Sequence, residues 1–209
     1  EEKGVDTHYL GMREDGKVKK LDQLEAPSSK MDILLARVPE VEFDGQNYEY
    51  EDLRNKQNYV IPLEIVFRNS VPVGSSIRRR YSPADLGFDF EEWPGRDLDL
   101  EDPLVEFSTK FEEKDRYLGE KEAEEISGLT ASEFEELRNK AYEVNDIVTE
   151  QAKKRDYKHL DGKIECIYAE KGILVADVVG TFDENRFSYK GVSLSKEFLR
   201  KWYKKESSA

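Results

Sequence analysis

Asp161-Gly-Lys163-Ile-Glu165-Cys-Ile-Tyr-Ala-Glu-Lys-Gly172-Ile-Leu-Val-Ala-Asp177 reads as a β-hairpin. Residues 164–169 and 173–178 are mostly β-branched and apolar, the composition that fits a pleated, half-buried surface. Glu170-Lys171-Gly172 between them reads as a three-residue loop, with glycine where a left-handed conformation is needed. If Ala169 pairs with Ile173, Glu165 lies opposite Asp177. Cross-strand Cβ atoms sit roughly 5 Å apart and like charges there repel, so the pair asks for a cation. Lys163 lies two residues back on the same face. Two carboxylates and a lysine suit Mg²⁺ and a polyphosphate, because Mg²⁺ prefers hard oxygens and substrate phosphates. An exposed sheet edge with ordinary surface charge gives the same pattern, and the residues alone do not separate the two.

The chain has 209 residues, 37% hydrophobic and 38% charged, and a net charge of −13. That is enough for a real core, in one large domain or two small lobes, and too apolar for a disordered chain. The acidic balance excludes a general binder of nucleic acid or of an anionic membrane. Arg78-Arg79-Arg80 is then a local anion site or a solvated turn. The single cysteine, Cys166, excludes an intrachain disulfide and a cysteine zinc cluster, and its alternation away from Glu165 makes it a core residue. Two histidines, His8 and His159, leave no His-rich metal site. With no signal peptide and no long apolar run, a cytoplasmic protein is expected. The chain opens without methionine, on a segment read as a helix end, a stop at Gly4 and a strand, so preceding residues are expected in the native protein.

Further along, residues 30–38 and 59–68 predict strands, and residues 40–56 resist assignment. Residues 70–76 form a turn, and residues 81–103, punctuated by Pro83, Gly87, Pro94 and Gly95, an irregular excursion. A strand follows at 104–109. Thr130 and Glu133 make a capping box that opens a helix to about Arg155, with Phe134, Leu137, Ala141, Val144 and Val148 on one face. Ser195 is read as the cap of a last helix carrying Phe198, Leu199, Trp202 and Tyr203.

Two further segments carry chemistry. Arg68 at a strand end, followed by Gly74-Ser75, can hold a phosphate through a guanidinium fork, backbone N–H groups and a hydroxyl. An ordinary polar turn reads the same. Asp183 and Arg186, three apart, can read an amine and a phosphate or simply pair with each other. No P-loop and no Gly-x-Gly-x-x-Gly fingerprint is present.

Taken in order, four stretches resemble the SAICAR synthetase (phosphoribosylaminoimidazole-succinocarboxamide synthase) family. They are Gly4-Val-Asp-Thr7-His8-Tyr9; Pro62-Leu-Glu64-Ile-Val-Phe-Arg68-Asn69 with Gly74-Ser75; Glu106-Phe107-Ser-Thr-Lys110 with Asp115; and Asp161-Gly-Lys163-Ile-Glu165 through Asp177, then Asp183 and Arg186. The resemblance implies a two-lobed α+β fold, kinase-like or ATP-grasp-like, around an ATP cleft. Residues 1–37 would be the remainder of an incomplete N-terminal ATP-binding lobe, and residues 38–209 the lobe with the ribonucleotide, aspartate and metal sites. It implies a ligase that joins L-aspartate to carboxyaminoimidazole ribonucleotide, with ATP as co-substrate and Mg²⁺ as cofactor, through a carboxylate activated as an acyl phosphate. Glu165 and Asp177 would hold Mg²⁺, and Lys163 would neutralise the transferring phosphoryl group. Arg68, Gly74, Ser75 and Arg186 would hold the 5′-phosphate, and Asp183 would face the aminoimidazole. Lys110 and Asp115 would serve the carboxylate or aspartate. Oligomeric state stays open, a homo-oligomer included.

The chain departs from the family pattern in places. Asp177-Val178 stands where the family has Asp-Glu, and Thr181-Phe182-Asp183 where it has Ser-Pro-Asp. Both the Ser-Pro-Asp segment and the Arg-Asn to Gly-Ser interval are about one residue longer, and residues 81–103 have no counterpart. Two rival classes share these residues: another ATP- and Mg²⁺-dependent small-molecule kinase, which needs no ribonucleotide phosphate cluster, and a non-catalytic nucleotide-binding homologue, in which the hairpin carboxylates are structural.

Overall fold

The computed structural model describes residues 4–196. In chain order the elements are β1 (Tyr9–Glu14), β2 (Lys17–Lys19), β3 (Met31–Ile33), β4 (Val41–Phe43), β5 (Tyr48–Tyr50), β6 (Tyr59–Val60), β7 (Leu63–Val71), the one-turn α1 (Ile77–Arg80), β8 (Leu98–Thr109), β9 (Tyr117–Leu118), α2 (Glu120–Ser127), α3 (Ala131–Lys153), β10 (Lys158–Ala169), β11 (Gly172–Ala176), β12 (Asn185–Tyr189) and β13 (Val192–Leu194). The expected α+β class holds, with more sheet than helix. The chain forms two compact units. The first runs through Glu64, Phe107–Lys140 and Ile164–Val179; the second is Ile65–Glu106, Ala141–Lys163 and the residues from Gly180 on.

In the first unit, β1 pairs with β2 and β3 in a three-stranded antiparallel sheet. Asp15 and Gly16, both left-handed, close the β1–β2 turn, the pairing that matches strand twist. β11 and β6 pair with the later half of β10, and β9 with the end of β8. Ile167, Ala169, Leu174 and Ala176 form a core cluster that Ala36 and Val60 cover. Residues 6–8 run beside β11: Val175 N–H donates to Asp6 and His8 N–H donates to Val175, both at 2.9 Å. The capping box of α3 forms as expected, Thr130 N–H donating to Glu133 Oε2 at 2.8 Å. Of the expected helix face, Phe134 and Leu137 are buried in this unit, while Ala141 and Val144, which belong to the second, are buried and Val148 half-buried.

In the second unit, β13, β12, β10, β7 and β8 follow one another across a sheet. Lys190 and Gly191, again both left-handed, turn β12 into β13. Val71, Ile77 and Leu98 are the core under the excursion, with Phe88, Phe90 and Trp93 packed against them. Arg78 pins that excursion from inside: its guanidinium donates to the carbonyls of Pro94, Val71 and Arg96 at 2.6–2.9 Å and lies 5.2 Å over the Trp93 ring.

A buried polar network braces β10 in this unit. His159 Nε2 donates to Asn185 Oδ1 at 3.1 Å, while Nδ1 accepts from the Thr149 hydroxyl at 2.8 Å and faces Asn69 Nδ2 at 3.3 Å; this tautomer is the one the partners require. Asn69 and Asn145 exchange a reciprocal pair of amide hydrogen bonds beside it. Gly162 lets β10 approach this network: a Cβ there would come within 2.1 Å of Asn185 Oδ1 and 2.5 Å of the Phe67 ring. Gly162→Ala is therefore expected to cost about 1–3 kcal/mol by overpacking, read from the urea midpoint.

Burial pushes the His159 imidazole below its ordinary value, against the pull of Asn185 and Asp161, and burial likewise lowers His8 against Asp177. A depressed histidine binds its proton more readily when unfolded. Its contribution to stability is thus complete above the unfolded value near 6.5 and is lost as pH falls below it. Urea unfolding between pH 7.5 and 5 is expected to show stability falling by up to about 1.4 kcal/mol per pH unit from His159, with the partly exposed His8 adding less, and His159→Gln removing one proton's worth of slope.

Several expectations change. The strand expected at 30–38 is only the three residues of β3. The strand expected at 59–68 is cut at Pro62, which has no N–H for a ladder, into β6 and β7. β8 begins six residues before the expected 104, with Pro103 inside it. Residues 40–56 contain the β4–β5 hairpin, turned by Asp44, whose carboxylate accepts from the N–H groups of Gln46 and Asn47 at 2.6 Å. Helix α2 was not expected; Gly119 precedes it and no side chain caps it. The helix expected beyond Ser195, and the helix end expected at the first three residues, lie outside the described residues.

Candidate functional site

The hairpin that decides the reading is present with its register moved by one. Ala169 pairs with Gly172, so Glu165 faces Ala176 instead of Asp177. Gly172 is left-handed as expected, at φ +97°, but the loop is two residues long. A one-residue shift exchanges the two faces of a strand, which removes the direct carboxylate pair. Asp177 follows the last pair of β11 in a left-handed conformation, φ +58°, a geometry that aspartate tolerates better than most residues. Its charge acts on His8 and on Tyr9, whose hydroxyl is raised by burial first and Asp177 second. Glu165 is held in an ion pair with Lys110. Asp115 is exposed. Among the described residues, no three His, Cys, Asp or Glu side chains are grouped to hold a metal.

All of these lie in the first unit, which also holds a cavity of about 890 Å³ lined by Thr7, Tyr9, Met12, Lys20, Met31 and Val179 among others. A second cavity, about 820 Å³, between Tyr50–Arg54 and α2 touches none of the expected site residues.

The second unit holds the rest. Arg68 is only 3% exposed. Its Nε donates to Glu106 Oε2 at 2.5 Å, and its guanidinium lies 3.6 Å from Asp161. Glu106 Oε1 in turn accepts from Arg80 at 2.6 and 3.1 Å. Asp161 takes a two-pronged contact from Arg186, Nε to Oδ1 being 2.6 Å. Arg186, Asp161, Arg68, Glu106 and Arg80 thus form one alternating ladder. Arg80 belongs to the arginine run read as a local anion site or a solvated turn, and Glu106 and Asp161 stand in the motifs that carry the resemblance; their pairing in a ladder escapes the sequence, because the partners lie too far along the chain for spacing to reveal them. Gly74, left-handed at φ +79°, and Ser75 form the expected turn, with Ser75 N–H donating to the Pro72 carbonyl. Arg186 does not pair with Asp183, which sits 3.2 Å from Lys196. Lys163 pairs with Glu184 at 3.3 Å and donates its N–H to the same residue's carbonyl.

The sequence matches the SAICAR synthetase family model across residues 1–209. The chain belongs to the SAICAR synthetase family. A protein of Archaeoglobus fulgidus, which carries the name phosphoribosylaminoimidazole-succinocarboxamide synthase provisionally, is 43% identical over 98% of this chain and 62% of its own length. A Thermoplasma volcanium protein named phosphoribosylaminoimidazole-succinocarboxamide synthase is 38% identical over 70% of this chain and 53% of its own. The chain thus spans between half and two thirds of these curated relatives. The crystal structure of SAICAR synthetase from Pyrococcus horikoshii matches with a TM-score of 0.63 at 23% identity, over 95% of this chain and 67% of that one. A SAICAR synthetase structure in complex with ADP matches equally well, over 66% of its length. At that identity these structures establish the SAICAR synthetase fold. Among the described residues no helix is long and apolar enough to cross a membrane.

Proposed function

We propose that this member of the SAICAR synthetase family is an ATP-dependent ligase joining L-aspartate to carboxyaminoimidazole ribonucleotide, with release of ADP and phosphate. The ribonucleotide carboxylate would be activated as an acyl phosphate, and the aspartate amine would then displace the phosphate. The name carried by the relatives and the ADP complex of a fold neighbour support this reading. The observation that carries it within the molecule is the arginine ladder of the second unit. A kinase of an unphosphorylated small molecule has no need of a dedicated phosphate-monoester site, whereas a ribonucleotide ligase does.

We assign nucleotide and metal to the first unit. Residues 1–37 would contribute the remaining part of an ATP-binding lobe, with Met12, Met31 and Val179 giving the cavity apolar surface for a base; residues 38–209 would supply the other sites. Glu165 and Asp177 each offer oxygen donors only, and Mg²⁺ is commonly bound by one or two carboxylates together with substrate phosphates, so either carboxylate suits the ion although the observed register no longer sets the two opposite each other. Mg²⁺ would neutralise charge on the ATP phosphates. Lys110, already charge-paired with Glu165, and Asp115 would orient aspartate or the reacting carboxylate.

The ribonucleotide is assigned to the second unit. Arg186, with its side chain 45% exposed, and the Gly74-Ser75 turn would meet the 5′-phosphate. Arg68, buried between two carboxylates, would act as the fixed centre of the ladder. Asp183 would face the aminoimidazole. Lys163 would stabilise the transferring phosphoryl group electrostatically. Calorimetric titration tests the assignment: Arg186→Gln is expected to weaken carboxyaminoimidazole ribonucleotide about 10- to 100-fold and leave ATP unchanged. Equal loss of both ligands, or of neither, contradicts it.

A further inference from the structure

Residues 110–116 join β8 to β9 outside any strand or helix, and they carry Lys110 and Asp115. The loop is closed at its base. Thr109 N–H donates to the Arg116 carbonyl, and Arg116 N–H to the Thr109 hydroxyl, both at 3.0 Å. Lys110 leaves this base to pair with Glu165 on β10, and its ammonium lies 5.6 Å from the Phe111 ring centre. Holding a loop residue in one conformation costs entropy, which contacts further along the loop must offset.

Those contacts come from the β4–β5 hairpin, in the stretch that resists assignment from sequence. Tyr48 and Tyr50 stand two apart on β5, so alternation sends both to one face. The Tyr50 hydroxyl donates to Glu112 Oε1 at 2.7 Å, and the Tyr48 hydroxyl accepts from Glu113 N–H at 3.0 Å. Phe43 packs on Tyr48 from the neighbouring strand, with ring centres 4.7 Å apart. The Glu112 side chain is only 3% exposed. It also accepts from Arg116 at 3.1 and 3.3 Å, and Arg116 reaches on to Glu122 of α2 at 2.8 Å. Burial first and the Glu112 carboxylate second push the Tyr50 hydroxyl up, so it stays protonated and donates. Hairpin, loop and Glu165 all belong to the first unit. The loop is thus gripped at Glu112 and Glu113, two and three residues beyond Lys110, where the grip sets the direction in which Lys110 leaves the strand.

We propose that Tyr50, assisted by Tyr48, is a positioning residue for Lys110: the β4–β5 hairpin fixes the loop through Glu112 and Glu113 so that the ammonium meets a substrate carboxylate. This rests on the role proposed above for Lys110. Both L-aspartate and the ribonucleotide carry a carboxylate, and the test separates them. Orientation weighs heavily in such a site, since a misplacement of about 1 Å can cost about 100-fold in rate.

The test is the KM of each of the three substrates, L-aspartate, carboxyaminoimidazole ribonucleotide and ATP, in ADP release by the full-length protein, with urea midpoints measured alongside. Lys110→Gln identifies which carboxylate substrate depends on the lysine. Tyr50→Phe is expected to raise the KM of that same substrate about 10-fold, the scale of one hydrogen bond to a charged group, and to leave the KM of ATP unchanged. Tyr48→Phe should move the same KM by less, and it serves if Tyr50→Phe does not fold. If Lys110→Gln raises one KM while the tyrosine variants lower only the urea midpoint, or raise all three KM values alike, the hairpin merely braces the fold and this inference fails alone. If Lys110→Gln changes neither carboxylate substrate, or the parent releases no ADP, the role assigned to Lys110 is itself wrong.

Discussion

Glu106→Gln is expected to destabilise the protein by about 3–5 kcal/mol, the scale for removing one partner of a buried ion pair. The substitution keeps the shape and removes the charge that faces two arginines at once. Arg68, 3% exposed, would lose the carboxylate that accepts from its Nε and keep the 3.6 Å contact to Asp161. The second expectation separates charge from packing. Adding Arg68→Met to Glu106→Gln removes the uncompensated guanidinium and should restore part of the loss, so the double variant is more stable than the sum of the singles. Urea denaturation of the four proteins checks both. A Glu106→Gln loss below about 1 kcal/mol, or strict additivity, would mean that the ladder is not a coupled unit.

Asp177→Asn is expected to act on catalysis and hardly on stability. Asparagine accepts the left-handed conformation at this position, so the turn out of β11 survives. What is lost is a charge. If Asp177 holds Mg²⁺ on the nucleotide, kcat should fall about 100- to 1000-fold, the range seen when one electrostatic contact to a transition state is removed. The same substitution has a readout independent of turnover. Asp177 holds the His8 imidazole up against burial, so its removal should lower the His8 titration further, seen by proton NMR. A drop in kcat without movement of His8 would indicate that the charge acts elsewhere.

What the sequence made legible follows the range of the interactions involved. The capping box of α3 and its apolar face are local, decided within a few turns of helix, and both are present. The left-handed pairs Asp15-Gly16 and Lys190-Gly191 are equally local signals of hairpins. Helix α2 left no such mark, since its cap is Gly119 and its residues are charged nearly throughout. Hairpin register lay at the limit: whether Gly172 sits in the loop or opens β11 is a one-residue difference, and it carried Asp177 away from Glu165. For the candidate site, the sequence pointed to Arg68, Gly74, Ser75 and Arg186 but not to what holds them. The partner of Arg68 is 38 residues away and that of Arg186 is 25 away. Such distances are closed by the sheet, and no spacing rule on one strand reaches them.

The aspartate-adding ligase activity proposed for this protein is tested most directly by a coupled ADP-release assay on the full-length protein. The mixture contains ATP, Mg²⁺ and carboxyaminoimidazole ribonucleotide, with and without L-aspartate. The account predicts ADP release that depends on aspartate and is lost in Asp177→Asn. ADP release that ignores aspartate, or intact ATP binding with no release at all, would contradict it.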